Sequence, residues 1–205
     1  MAQSLIGGLI ASGYDKQNII ATDPTEAQRN QVTERFGIQC IADNADAISQ
    51  ADIVVLAVKP QILQNVCQDL AATVQQKKPL IISVAAGIRT SAIDSWLGNT
   101  HAIVRTMPNT PALIQTGATG LFANPAVSEE QKSQAEHIMR AAGLTVWVNQ
   151  EQQLDSVTAL SGSGPAYYFL FMEAMEKAGK ELGLDEKTAH LLTLQTALGL
   201  SLIHI

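Results

Sequence analysis

The chain has 205 residues, of which 46% are apolar, 16% charged and 4% aromatic. That balance excludes a disordered or fibrous chain and leaves room for a nucleotide-sized domain with a smaller partner. A net charge of −6 with scattered cations, Lys77-Lys78 being the only adjacent pair, excludes nucleic acid as a partner.

No apolar run reaches membrane-spanning length, and the start Met1-Ala2-Gln3-Ser4 lacks a basic leader, so the expectation is a cytoplasmic chain with no membrane partner. Cys40 and Cys67 stand far apart without a CxxC, which reads as two buried thiols in a reducing compartment rather than a disulfide or a zinc site. His101, His137, His190 and His204 have no ligand-like spacing and read as surface or core residues, so no metal is expected.

In chain order, Ser4–Ser12 has helical spacing and ends at Gly13. Asn18–Thr22 reads as a short strand, followed by Asp23-Pro24 and a polar helix to about Arg35. Ile38–Ile41 reads as another short strand. Asp52–Val58 is a continuous apolar run, the mark of a strand covered on both faces. Lys59-Pro60 ends it, and a helix runs to about Gln75. Leu80–Ala85 is the next buried strand, stopped by Gly87. His101–Met107, Gly117–Ala123 and Leu144–Asn149 read as three more strands, and Ser128 with Gln131 forms a capping box for a helix to about Ala142. From Glu151 the pattern is helical: one helix up to Ser161, one from Pro165 to about Leu182, and one from near Asp185. The reading is a doubly wound α/β domain over residues 1–150 and an all-α domain over 151–205.

In such a fold, ligands bind beyond the carboxyl ends of the strands. Asp23 follows a strand, where its carboxylate either accepts from a ribose hydroxyl or caps the next helix. Ala57-Val58-Lys59-Pro60 closes the most apolar strand with small residues and one cation, suited to a flat cofactor with phosphates or to an ordinary turn. Val84-Ala85-Ala86-Gly87 repeats that pattern. Gly7-Gly8 falls inside the first helix and does not substitute for a phosphate-binding glycine turn. Ser161-Gly162-Ser163-Gly164-Pro165 supplies hydroxyls and a tight turn, for a substrate or as a capped connector, and lacks the partners of a nucleophilic serine. Arg105–Pro111 is a rigid polar loop at a strand end.

Ala57–Pro60 (AVKP), Ala85–Gly87 (AAG), Arg105–Pro111 (RTMPNTP) and Leu160–Phe169 (LSGSGPAYYF), in this order and spacing, resemble the pyrroline-5-carboxylate reductases from about Met1 to Gly199. The resemblance implies a Rossmann-type domain, a helical dimerisation domain that forms homodimers and higher oligomers, and reduction of a cyclic imine by NADPH, with NADH as the other donor. It implies cofactor contacts at Asn44, Ala57, Val58, Lys59, Pro60, Val84, Ala85 and Ala86, beside which Asp23 keeps its reading as a ribose contact or a cap. Glu151 falls at the substrate end beside Ser161, Gly162 and Ser163. It names no catalytic residue in the strict sense. A carboxylate at Asp23 repels a 2′-phosphate and favours NADH. The family has a strand and a Gly-x-Gly-Asn turn ahead of the position of Met1 and a Ser-Pro-Gly-Gly-Thr loop beyond Gly199, so the expectation is an incomplete and inactive reductase. The alternatives are a related imine reductase or β-hydroxyacid dehydrogenase, disfavoured because Leu160–Pro165 carries no ionisable group, and a non-catalytic remnant.

Overall fold

The structure is a computed structural model that describes residues 1–203; His204 lies outside them. The chain divides into two compact units, Met1–Gly162 and Ser163–Ile205. The domain change expected at residue 150 falls where alternation gives way to helix.

The first unit opens with α1 (Ala2–Ala11), β1 (Ile20–Thr22), α2 (Glu26–Phe36), β2 (Gln39–Ile41) and α3 (Asn44–Gln50). It continues with β3 (Ile53–Leu56), α4 (Pro60–Lys77), β4 (Leu80–Ser83), α5 (Thr90–Leu97), β5 (Ile103–Met107) and β6 (Gly117–Ala123). It ends with α6 (Glu129–Arg140), β7 (Gly143–Trp147), α7 (Gln153–Val157) and a π-helical turn at Thr158–Gly162. The second unit holds α8 (Gly164–Glu181) and α9 (Glu186–Ile203). This is a mixed α/β fold of Rossmann type followed by helices.

Strands β3 to β7 form one sheet in chain order, and β1 pairs with β2 in a second, two-stranded sheet. Every pair is parallel except β5 with β6. Only residues 108–116 separate those two strands, too few for a crossover, which takes roughly a dozen or more.

Alternation along the strands feeds two cores. Ile81 and Ile103 pack with Leu63, Leu70 and Ile93 of α4 and α5 on one face. Leu80, Ile82 and Val104 pack with Leu5, Ala135 and Met139 of α1 and α6 on the other. Helices on both faces make the sheet doubly wound. The first of the two α1 glycines has only the Phe36 ring nearby, but a Cβ at Gly8 would collide with the Ala141 carbonyl, so Gly8 lets two backbones touch.

Four sequence expectations need correction. Two helices went unread, α3 and α5. Asp43 starts α3 by accepting from the backbone amides of Ala45 and Asp46, whereas α5 has no local side-chain cap at all. The apolar run at Asp52–Val58 narrows to β3, whose Ile53, Val54 and Val55 are only half-buried, because β3 pairs with β4 alone. Both of its faces are packed; its second edge is not hydrogen-bonded among the described residues. Cys67 is fully buried, but Cys40 is half-buried. Burial pushes the Cys67 thiol up to about 11, which keeps it neutral and unreactive near neutral pH.

In the second unit, α8 and α9 pack where Gly179 faces the Ala189 side chain. Glu176 accepts from or pairs with His190 at 2.8 Å. Two helices bury little between them. Tyr167, Tyr168, Phe169, Leu170 and Phe171 on α8, with Leu191, Leu198 and Leu202 on α9, are all exposed.

Candidate functional site

Because β3 and β4 run parallel in the register Leu56↔Ser83, the segments that follow them leave the same sheet edge side by side. The Val84 amide donates to the Leu56 carbonyl at 3.2 Å, tying the two exits together. Lys59 is the N-cap of α4 with an extended backbone, and Pro60 takes the first helical turn, where its missing N–H costs nothing. Ala57 and Lys59 are exposed, and Val58 and Pro60 half-buried. No side chain caps α4; the Ile62 amide donates to the Lys59 carbonyl at 3.1 Å, and this end of the helix is the positive end of its dipole. Ala85 is buried in the core and Ala86 is exposed. Gly87 turns the chain at φ +77°, a conformation that suits glycine.

Asp23 and Asn44 stand at the other sheet. Asp23 follows β1, and its amide donates to the Ile41 carbonyl at the end of β2 at 3.2 Å. Its Oδ1 accepts from the Thr25 amide at 2.8 Å, a local turn bond of the capping kind. Arg29 Nη1 donates to the carbonyls of Asp23 and Pro24, both at 2.9 Å, and so sets a guanidinium in the same turn. Burial, and then the neighbouring Asp23 charge, hold the Cys40 thiol above its usual range against the opposing pull of Arg29. Asn44 is the exposed first residue of α3.

In the central strand of the five-stranded sheet, an arginine sits within an apolar run. Arg105 is buried, and a cation there must be paired to be tolerated. Its partner is Glu151, with Arg105 Nη1 to Glu151 Oε1 at 3.3 Å. The same carboxylate accepts from the Thr90 amide at 2.7 Å and from the Thr90 hydroxyl at 3.1 Å. Glu151 therefore caps α5 from a distance and neutralises Arg105 at once. Exposed Asp155 lies 3.7 Å from Arg105 Nη2.

The next residues of β5 reach both neighbouring segments. The buried Thr106 hydroxyl donates to the Ser83 carbonyl at 3.0 Å, just before Val84. Asn109 Nδ2 donates to the Ser161 carbonyl at 3.1 Å, and its Oδ1 accepts from the Ala118 amide at 2.9 Å. The Ser161 hydroxyl donates back to the Val157 carbonyl at 3.0 Å. A Cβ on Gly162 would lie 2.6 Å from Met107 Cε, so the turn sits directly on the end of β5.

The structure thus brings Ala57–Pro60 together with Val84–Gly87, and Ser161 and Gly162 together with the Arg105–Asn109 segment. It keeps Asp23 beside the end of β2. Ser163 opens the second unit. Thr90, Arg105, Thr106 and Asn109 were not assigned from sequence as individual residues. A charge inside the apolar run Ile103–Met107 is the signal that points to Arg105 and to an acid elsewhere.

A surface groove lies away from these segments, at the amino ends of β3 and β4, lined by Asp52, Lys77, Lys78 and Ser128. It holds an exposed Lys77–Asp52 pair and no convergent chemistry. Among the described residues no cluster of His, Cys, Asp and Glu suits a metal, and no helix is long and apolar enough to cross a membrane.

Glu151→Ala leaves Arg105 buried without its partner and is expected to lower folding stability by ~3–5 kcal/mol. Asp155→Asn, at a side chain 72% exposed, is expected to change stability by less than ~1 kcal/mol. Urea unfolding followed by circular dichroism measures both. Equal small losses would show that Glu151 does not anchor Arg105.

Residues 1–87 match the family model described as NADP oxidoreductase coenzyme F420-dependent, and residues 151–204 match the one described as pyrroline-5-carboxylate reductase dimerisation. The chain is 51% identical over 199 residues to the pyrroline-5-carboxylate reductase of Pseudomonas aeruginosa, covering 97% of this chain and 72% of that one. Its fold is similar to the solved pyrroline-5-carboxylate reductase of Coxiella burnetii, with a TM-score of 0.93 and 48% identity over 97% of this chain and 73% of that chain. It is also similar to the Plasmodium falciparum pyrroline carboxylate reductase solved with NADP bound, with a TM-score of 0.83 and 29% identity over 96% of this chain and 71% of that chain. With that identity over most of both chains, this protein belongs to the pyrroline-5-carboxylate reductase family.

Proposed function

We propose that this protein reduces 1-pyrroline-5-carboxylate to L-proline with a nicotinamide dinucleotide, NADPH before NADH. The observation that carries this reading is the 51% identity running through 97% of the chain, which takes in the strand-end segments and the Ser161 turn alike. When bound, the dinucleotide supplies the hydride.

The chain's own residues bind and orient. Ala57 and Ala86 are small and exposed, so a flat ring can approach the backbone there. Lys59 and the uncapped start of α4 offer positive charge to phosphates. Val58 and Pro60 shape one exit of the sheet, and Val84 and Ala85 the other, Ala85 through its backbone because its side chain is in the core. Asp23 and Asn44 suit the adenosine end. There Arg29 supports NADPH, since a guanidinium offsets the repulsion between Asp23 and a 2′-phosphate. Glu151, Ser161, Gly162 and Ser163 suit the substrate end. A protonated cyclic imine is already electrophilic, so orientation rather than acid–base chemistry is what these residues provide.

Titration of dinucleotide fluorescence tests the cofactor half. Ala57→Glu should weaken NADPH and NADH alike by roughly tenfold or more. Arg29→Ala should weaken NADPH and leave NADH within about twofold. Unchanged affinity in Ala57→Glu removes that segment from the site, and equal effects of Arg29→Ala on both dinucleotides remove the preference. Activity is read as pyrroline-5-carboxylate-dependent NADPH oxidation by the chain extended with the flanking segments of its Pseudomonas relative, where no turnover counts against the reading.

The second unit supports a homo-oligomer. The exposed Tyr167–Phe171 run and the exposed leucines of α9 form more apolar surface than a lone pair of helices leaves in water. We infer that a second copy covers it. Sedimentation equilibrium should give a dimer or larger, and Phe169→Glu should shift it toward monomer; a monomeric unsubstituted chain contradicts this.

A further inference from the structure

We propose that Asn109 is a positioning residue, a two-sided latch that holds the Ser161 turn to the carboxyl end of β5. The need for it is written in the chain. In an α-helix the Ser161 carbonyl would accept from the amide four residues on, but that residue is Pro165, which has no N–H. The turn at Thr158–Gly162 is π-helical, and the Ala166 amide beyond Pro165 donates to the Ser163 carbonyl at 3.0 Å. Asn109 Nδ2 donates to the Ser161 carbonyl at 3.1 Å, a bond that Pro165 cannot supply.

The other half of the same amide fixes where the donor stands. Asn109 Oδ1 accepts from the Ala118 amide at 2.9 Å, which pins the side chain to the start of β6. Pro108 before it and Pro111 after it restrict the backbone on both sides. Met107 against Gly162 gives the apolar part of the same contact. A carboxamide presents a donor and an acceptor in one rigid plane; an aspartate of the same shape keeps the acceptor and loses the donor. What the turn binds rests on the reductase reading; the latch itself does not.

Hydrogen exchange measured by mass spectrometry on the 205-residue chain tests it, with melting temperature recorded beside it. Asn109→Asp should quicken exchange in residues 158–164 by about five- to tenfold, the loss of one hydrogen bond, and leave 117–121 as before. Asn109→Ala should quicken both segments. Thr116→Ala, which removes an exposed hydroxyl bonded to the Pro111 carbonyl at 3.4 Å in the same loop, should change neither. Unchanged exchange at 158–164 in Asn109→Asp overturns the proposal, and so does quickening spread evenly over the chain. Failure of the unsubstituted chain to bind dinucleotide would count against the reductase reading and leave this comparison standing.

Discussion

The buried contact between Arg105 and Glu151 is the constraint on which the rest of the first unit turns. A guanidinium in the middle of β5 is tolerated only with a carboxylate beside it, and the chain supplies one from beyond the last strand of the sheet. Once Glu151 is drawn in, its oxygens also take the amide and hydroxyl of Thr90. That fixes the start of α5, and with it the end of the Val84–Gly87 segment. One ion pair thereby sets the shape of the Val84–Gly87 turn and of the chain leading to Ser161. The neighbouring residues extend the effect, Thr106 toward Ser83 and Asn109 toward Ser161.

Much of the fold was legible because it follows from local pattern. The runs at Leu80–Ala85 and His101–Met107 read as strands, and both became central strands with a core on each side. The capping box at Ser128 and Gln131 formed as read, with both reciprocal bonds present. The antiparallel turn of β6 was also within reach, since residues 108–116 leave no room for a crossover.

What stayed hidden depends on residues far apart in the chain. Helix α5 carries no local cap because Glu151 provides it from 61 positions away. The link from Asn109 to the Ser161 carbonyl spans 52 positions, and neither residue alone predicts it. Asp23 shows the limit from the other side: the two roles weighed for it were a ribose contact and a cap, and one of its oxygens does make a capping-type bond to Thr25. Its second oxygen leaves room for the first role.

The proposed function lays the dinucleotide across the exits of β3 and β4, at the carboxyl edge of the sheet. Hydrogen exchange of the chain with and without NADPH tests it most directly. Bound NADPH should slow exchange at residues 57–62 and 84–88 and leave 77–80 and 128–134 unchanged. Protection confined to the groove at the amino ends of those strands, or none anywhere at saturating NADPH, would contradict it.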